Sequence, residues 1–190
     1  MKHEADWLRA HVRDVSGFPR PGVVFKDLTP LMADAHAFSF CVDAIADFYA
    51  DRPIDKVVGI EARGFIFAAP VAYRLGAGLV PVRKAARLPW KVESQEYALE
   101  YGSGTLEIHT DAVAEGESVL VIDDVLATGG TARATLEMLD RLGAVVAGMA
   151  FVLELTYLGG RAHLDHWTNR GDGSGRTPYE PMSLLEFGSV

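Results

Sequence analysis

Two adjacent acids, Asp123 and Asp124, follow the apolar run Val119 to Ile122, and Ala127-Thr128-Gly129-Gly130-Thr131 comes just after them. Those five residues are small or hydroxyl-bearing, and a helical pattern begins where they end. Glycines let backbone N–H groups approach an anion closely, threonine hydroxyls add donors, and a helix N-terminus adds a favourable dipole. This is a phosphate cradle. It is neither a Walker A loop nor a dinucleotide fingerprint, because no Gly-Lys-Ser/Thr and no G-x-G-x-x-G is present here. Two carboxylates this close would repel a bare phosphate. They suit a ligand that also presents hydroxyls or a metal ion, as a ribose 5-phosphate does. The bland alternative is a helix-capping turn with solvated acids.

Three further groups could do chemistry. In "PGVVFKD", prolines and glycine stiffen a loop that carries Phe25, and a planar base wants an aromatic face with fixed backbone groups at its edge. "EARGF" combines small residues, Arg63 and a helix start, which makes a second anion site. "VRKAAR" gathers Arg83, Lys84 and Arg87, a locally basic cluster, so an anion site could sit in an acidic protein. His163, Asp165 and His166 invite a metal reading, but on a polar stretch they are more simply solvated.

The elements that must position these groups follow from periodicity. Trp7, Leu8, His11, Val12 and Val15 recur at helical spacing, predicting an amphipathic helix that stops near Ser16-Gly17. "FPRPGVVFKDLTPLM" reads as an ordered loop. A helix is expected over Ala35 to Tyr49. The short apolar runs "KVVGI", "GLVPVR", "SVLVID", "AVVAGMAFVLEL" and "MSLLEF" then alternate with helical stretches, which predicts a doubly wound α/β fold around a parallel sheet. "YALEYGSGTLEIHTDAV" alternates as a two-stranded antiparallel excursion. Residues 159 to 180 are polar and glycine-rich and read as a mobile surface insertion.

With 190 residues, one domain is expected over 1–190: an N-terminal helix and base-recognition segment to about 34, a core over about 35–158, and the polar insertion with a closing strand over about 159–190. A net charge of −8 argues against broad nucleic-acid binding. No apolar run approaches the roughly 20 residues of a membrane span, and the N-terminus lacks a secretory signal, so the cytoplasm is expected. The lone Cys41 suits a reducing compartment and reads as a small buried hydrophobe.

"VLVIDDVLATGGT" resembles the phosphoribosyl-diphosphate (PRPP) motif of type I phosphoribosyltransferases. "FPRPGVVFKDLTPL", "EARGFIFAAPVA", "PVRKAARLPW" and "EYALEYGSGTLEIHTDAV" are similar, in the same order, to the adenine-specific branch of that family. The likeness spans roughly Phe18 to Gly159, with "SLLEF" matching the closing strand. It implies a type I phosphoribosyltransferase fold with a small N-terminal hood and a mobile lid excursion. It also implies conversion of adenine and PRPP into AMP and pyrophosphate, a purine-salvage step.

Residue by residue, the resemblance puts the 5-phosphate on Ala127, Thr128, Gly129, Gly130 and Thr131, and the ribose hydroxyls on Asp123 and Asp124. Phe25 stacks on adenine, the backbone of Val24 and Lys26 reads its edge, and Leu155 covers the other face. The family commonly has arginine where Lys26 stands, so a guanidinium contact there is lost. Pyrophosphate falls to the Glu61, Ala62 and Arg63 loop, with Glu61-Ala62 the candidate cis peptide, and to Arg83, Lys84 and Arg87. Ala85-Ala86 replaces a common glycine, and Arg87 a lysine, which puts loop mobility and product release in question. Glu100 becomes the acid/base or electrostatic group near the reacting centre, with Tyr101 beside it on the lid. Mg2+ is expected as a cofactor that travels with PRPP, since no segment has dedicated metal-ligand spacing. A homodimer is implied by resemblance alone.

Two rivals remain at this stage. A phosphoribosyltransferase for hypoxanthine, guanine or xanthine would need partners for a keto group, against which the "PGVVFKD" segment argues. A regulatory protein that keeps the fold but binds nucleic acid would want a basic face or an added winged domain, and neither is visible.

Overall fold

The structure is a computed structural model that describes residues 4–98, 103–168 and 180–189. The first turn is a 3-10 helix, Asp6–His11. Strands β1 (Arg13–Ser16) and β2 (Val24–Asp27) follow, then helices α1 (Thr29–Ala33) and α2 (Ala35–Tyr49). β3 (Lys56–Ile60), α3 (Gly64–Leu75) and β4 (Gly78–Lys84) lead to the hairpin β5 (Val92–Ala98) and β6 (Ser103–His109). β7 (Ser118–Leu126), α4 (Gly130–Arg141), β8 (Val145–Leu155), a 3-10 turn at Thr156–Leu158, α5 (Gly160–Thr168) and β9 (Met182–Phe187) complete the order.

Seven strands form the central sheet in the order β5-β6-β4-β3-β7-β8-β9. β4, β3, β7, β8 and β9 pair in parallel, while the β5–β6 hairpin adds antiparallel to β4. The parallel strands are apolar on both sides because both faces are covered. Val57, Leu120, Ile122, Ala150 and Val152 pack toward α2 and α3, while Val58, Val119, Val121, Met149 and Phe151 pack toward α4. These are alternate residues of the same strands, as the pleat requires. Cys41 is buried in the first of these cores.

The expected strands, the α2 helix and the antiparallel excursion are present, but three readings are corrected. The N-terminal amphipathic helix ends at His11, and residues 13–16 form β1 instead. Their ladder partners lie in β2, with Asp14 opposite Lys26 and Val15 opposite Phe25, and Gly17 (φ +76°) supplies the left-handed turn that starts the return. The ordered loop "FPRPGVVFKDLTPLM" thus contains β2 and α1. The first part of the polar insertion is α5, pinned by Leu164 in the core and by Arg161, which reaches buried Glu154 at 2.5 and 3.1 Å and the Pro181 carbonyl at 2.7 Å.

Candidate active site at the carboxyl edge of the sheet

β3 and β7 are neighbours and parallel, so the loops that leave them open at the same edge. Ligands of open α/β sheets bind there. Gly64, the first residue of α3, lies so close to β7 that an added Cβ would meet Asp123 Oδ1 at 2.8 Å and the Ile122 carbonyl at 3.0 Å. Glycine at this point is what lets the "EARGF" loop reach the acid pair. The Glu61–Ala62 peptide is cis.

A cavity of about 490 Å³ opens here, and its wall includes Val24, Phe25, Lys26, Arg63, Asp123, Asp124, Ala127 and Leu155. Residues drawn from four separated segments of the chain therefore share one space. Sequence reasoning missed Val125, Tyr157 and Leu158 on the same wall. The first alternates with the acids on β7, and the other two extend Leu155 through the 3-10 turn, which is the signal that could have found them.

The two acids are held in an unfavourable setting. Burial, then the adjoining Asp124 carboxylate, push Asp123 well above the ordinary carboxylate range. Burial also raises Asp124, with Arg63 working against it. Asp124 Oδ2 is buried with no hydrogen-bond partner, although the Arg63 Nε stands 2.6 Å away as an ion pair. Buried oxygens in want of donors suit hydroxyl groups or a cation brought by a ligand. Among the described residues no set of three or more His, Cys, Asp or Glu is placed to hold a metal by itself.

Arg63 also lies over the Phe25 ring, 5.1 Å from its centroid. The backbone of β2 beside it is open. Gly17 N–H donates to the Val23 carbonyl at 2.7 Å, which makes that pair hydrogen-bonded. By alternation, Ser16↔Val24 and Asp14↔Lys26 are non-hydrogen-bonded pairs, so the Val24 and Lys26 main-chain groups face away from β1. Among the described residues β2 has no strand on its other side. The Lys26 ammonium is taken up by Asp14 Oδ1 at 2.7 Å and stands 4.7 Å from the Phe187 ring centroid.

Arg83, Lys84 and Arg87 do not line the cavity; they gather around Glu61. Its buried carboxylate accepts from Arg83 Nε at 3.2 Å and from the Lys84 N–H at 3.0 Å, and pairs with Arg87 Nη1 at 3.0 Å. Burial works to raise Glu61, but the Lys84 amide and the two guanidinium groups outweigh it and hold it below its ordinary value. The Glu61 carboxylate thus gathers the cations around it.

In the β7–α4 loop, Gly129 (φ +83°) is the N-cap of α4. The backbone N–H groups of the first turn of α4 have no partner within the helix and remain available to an anion. Thr128, Gly129, Gly130 and Thr131 sit beyond the cavity wall proper. Glu100 and Tyr101 lie outside the described residues, as does the tip of the β5–β6 hairpin.

A parallel sheet with an acid pair and a glycine- and threonine-bearing loop at its switch edge fits a phosphoribosyltransferase, and residues 33–170 match the phosphoribosyl transferase domain; the chain belongs to that family. Its relatives are more specific. It is 56% identical over 157 residues to the adenine phosphoribosyltransferase of Acidothermus cellulolyticus, covering 83% of this chain and 89% of that one. It is 56% identical over 158 residues to that of Streptomyces coelicolor, covering 83% and 87%. The crystal structure of the Thermoanaerobacter pseudethanolicus adenine phosphoribosyltransferase superposes with a TM-score of 0.86 at 43% identity, covering 96% of this chain and 99% of that one. The Saccharomyces cerevisiae enzyme, complexed with adenine and an imino-altritol bisphosphate, gives 0.84 at 34% identity, covering 97% and 100%.

Proposed function

We propose that this protein transfers the 5-phosphoribosyl group of PRPP to adenine, giving AMP and pyrophosphate. The observation that carries the reading is a single cavity shared by an aromatic ring, an open strand edge and an acid pair whose Asp124 is buried. Adenine stacks on Phe25, with Leu155 opposite. The outward N–H and C=O groups of Val24 and Lys26 meet its ring nitrogen and amino group, which together present an acceptor and a donor. Asp123 and Asp124 accept from the ribose hydroxyls, and the 5-phosphate sits against Ala127 to Thr131.

The bond from the ribose anomeric carbon to the diphosphate oxygen breaks as adenine nitrogen bonds to that carbon. Positive charge builds on the ribosyl ring between the two events, and buried carboxylates near the ring stabilise it. The proton lost from adenine passes to Glu100 or to solvent. Negative charge grows on the departing diphosphate, and Arg63, Arg83, Lys84 and Arg87 answer it. Glu61 holds two of these cations and the Lys84 amide together beforehand, which lowers the reorganisation needed on binding. Mg2+ bound with PRPP would neutralise diphosphate oxygens, and the Asp124 carboxylate, whose buried Oδ2 has the Arg63 ion pair but no hydrogen bond, would help to hold it.

The β5–β6 hairpin acts as the lid, anchored at its base where Arg141 of α4 reaches Glu93 at 2.6 Å and Gln95 at 2.9 Å. The active form is a homodimer, and the reduced cytoplasm suits the single, buried Cys41. Purified protein given adenine, PRPP and Mg2+ should release AMP and pyrophosphate in equal amounts. Pyrophosphate without AMP would make it a PRPP hydrolase instead.

A further inference from the structure

The geometry points to His163 of α5 as a positioning residue for the phosphate loop, a role that rests on the phosphoribosyl transfer proposed above for its kinetic consequence. The His163 Nδ1 lies 2.6 Å from the Thr128 carbonyl oxygen. A carbonyl can only accept, so Nδ1 carries the proton and donates. Gly160, three residues earlier, packs into the other side of the same loop. A Cβ on Gly160 would stand 2.2 Å from the Ala127 carbonyl oxygen and 3.1 Å from Gly129 N, and a Cβ on Gly129 would stand 2.7 Å from the Gly160 carbonyl oxygen. The start of α5 and the loop are therefore in backbone-to-backbone contact, with one side-chain bond fixing their register.

The helix that bears His163 is itself held. Arg161 is bound to Glu154 of β8 and to the Pro181 carbonyl, Ser183 Oγ of β9 donates to Glu154 Oε2 at 2.7 Å, and Leu164 is fully buried. The sheet thus holds α5, and α5 holds the loop at Thr128. A phosphate cradle made of backbone N–H groups works only if those groups already converge, because the loop's own glycines leave many conformations open. A brace on a loop carbonyl reduces that freedom without touching the ligand.

The test compares His163→Ala, His163→Asn and His163→Gln. The side-chain nitrogen of asparagine sits where Nδ1 does, one bond beyond Cγ, whereas that of glutamine is one carbon further. Wild-type and variant proteins are first compared without ligand by amide hydrogen exchange, and then by steady-state kinetics with PRPP and adenine varied in turn. His163→Ala should speed exchange over residues 128–131 and raise the KM for PRPP about fivefold, the worth of one hydrogen bond. The KM for adenine should stay put. His163→Asn should recover most of both effects, and His163→Gln should not. A merely structural role predicts the reverse order, since alanine is the best helix former and asparagine among the poorer ones. Unchanged exchange in His163→Ala, or asparagine no better than alanine, would overturn the proposal. Should the wild type form no AMP, the transfer reading fails while the exchange data still decide the brace.

Discussion

At the scale of single residues, the acid pair is the most informative feature. Both carboxyls are raised above their ordinary range, so the folded chain holds protons that the unfolded chain has released. Stability must therefore fall as pH rises from the ordinary carboxylate range through the raised values. Replacing both residues, Asp123→Asn with Asp124→Asn, should flatten that slope in thermal melts and leave the variant at least as stable as the parent at neutral pH. The same variant should raise the KM for PRPP at least about tenfold, the worth of a charged hydrogen bond. A less stable variant with unchanged PRPP kinetics would mean that the acids serve the fold and not the sugar. Ala86 makes a second test, because it holds φ +61° where glycine would be at ease. A left-handed alanine costs about 1–2 kcal/mol, against about 0.4–1 kcal/mol for the extra unfolded-state freedom of glycine. Ala86→Gly should therefore raise the melting temperature slightly, and a drop would show that the loop is not strained there.

At the scale of elements, what was legible depended on whether a pattern was local. α2 shows its buried stripe in Cys41, Val42 and Ile45, and β3 and β7 show continuous apolar runs, so periodicity alone finds them. The acids and glycines of the β7–α4 loop were legible for the same reason, since their chemistry is written in consecutive residues. β1 was not, because Trp7, Leu8, His11, Val12 and Val15 fit a helix and the competing partner lies in residues 24–27. α5 was hidden by its polarity. It is held by Arg161, Leu164 and His163 through contacts with β8, the segment before β9 and the β7–α4 loop, and no spacing rule reports a side chain bound to a distant carbonyl. Arg161→Ala tests that account: it leaves the buried Glu154 carboxylate without its guanidinium partner, so the melting temperature should drop by several degrees. An unchanged melt would show that Leu164 alone suffices to dock the helix.

At the scale of the molecule, an acidic chain places four cations, Arg63, Arg83, Lys84 and Arg87, around Glu61 and over Phe25, which is where an anionic substrate would arrive. A different face carries exposed apolar side chains. Ile66 and Tyr73, 42% and 87% exposed, are seven residues apart on α3 and so share one side of it. Such a face suits the proposed second copy of the chain. Tyr73→Glu should turn a dimer into a monomer in sedimentation velocity without lowering the monomer's stability; a wild type that is already monomeric would discard the dimer. The central claim, transfer to adenine, is tested most directly by offering adenine, hypoxanthine, guanine and xanthine in separate reactions with PRPP and Mg2+, and following nucleotide and pyrophosphate together. AMP from adenine, with no nucleotide from the three oxopurines, is the result expected. Turnover on an oxopurine in place of adenine would contradict the reading of Val24, Phe25 and Lys26 as an adenine-binding edge.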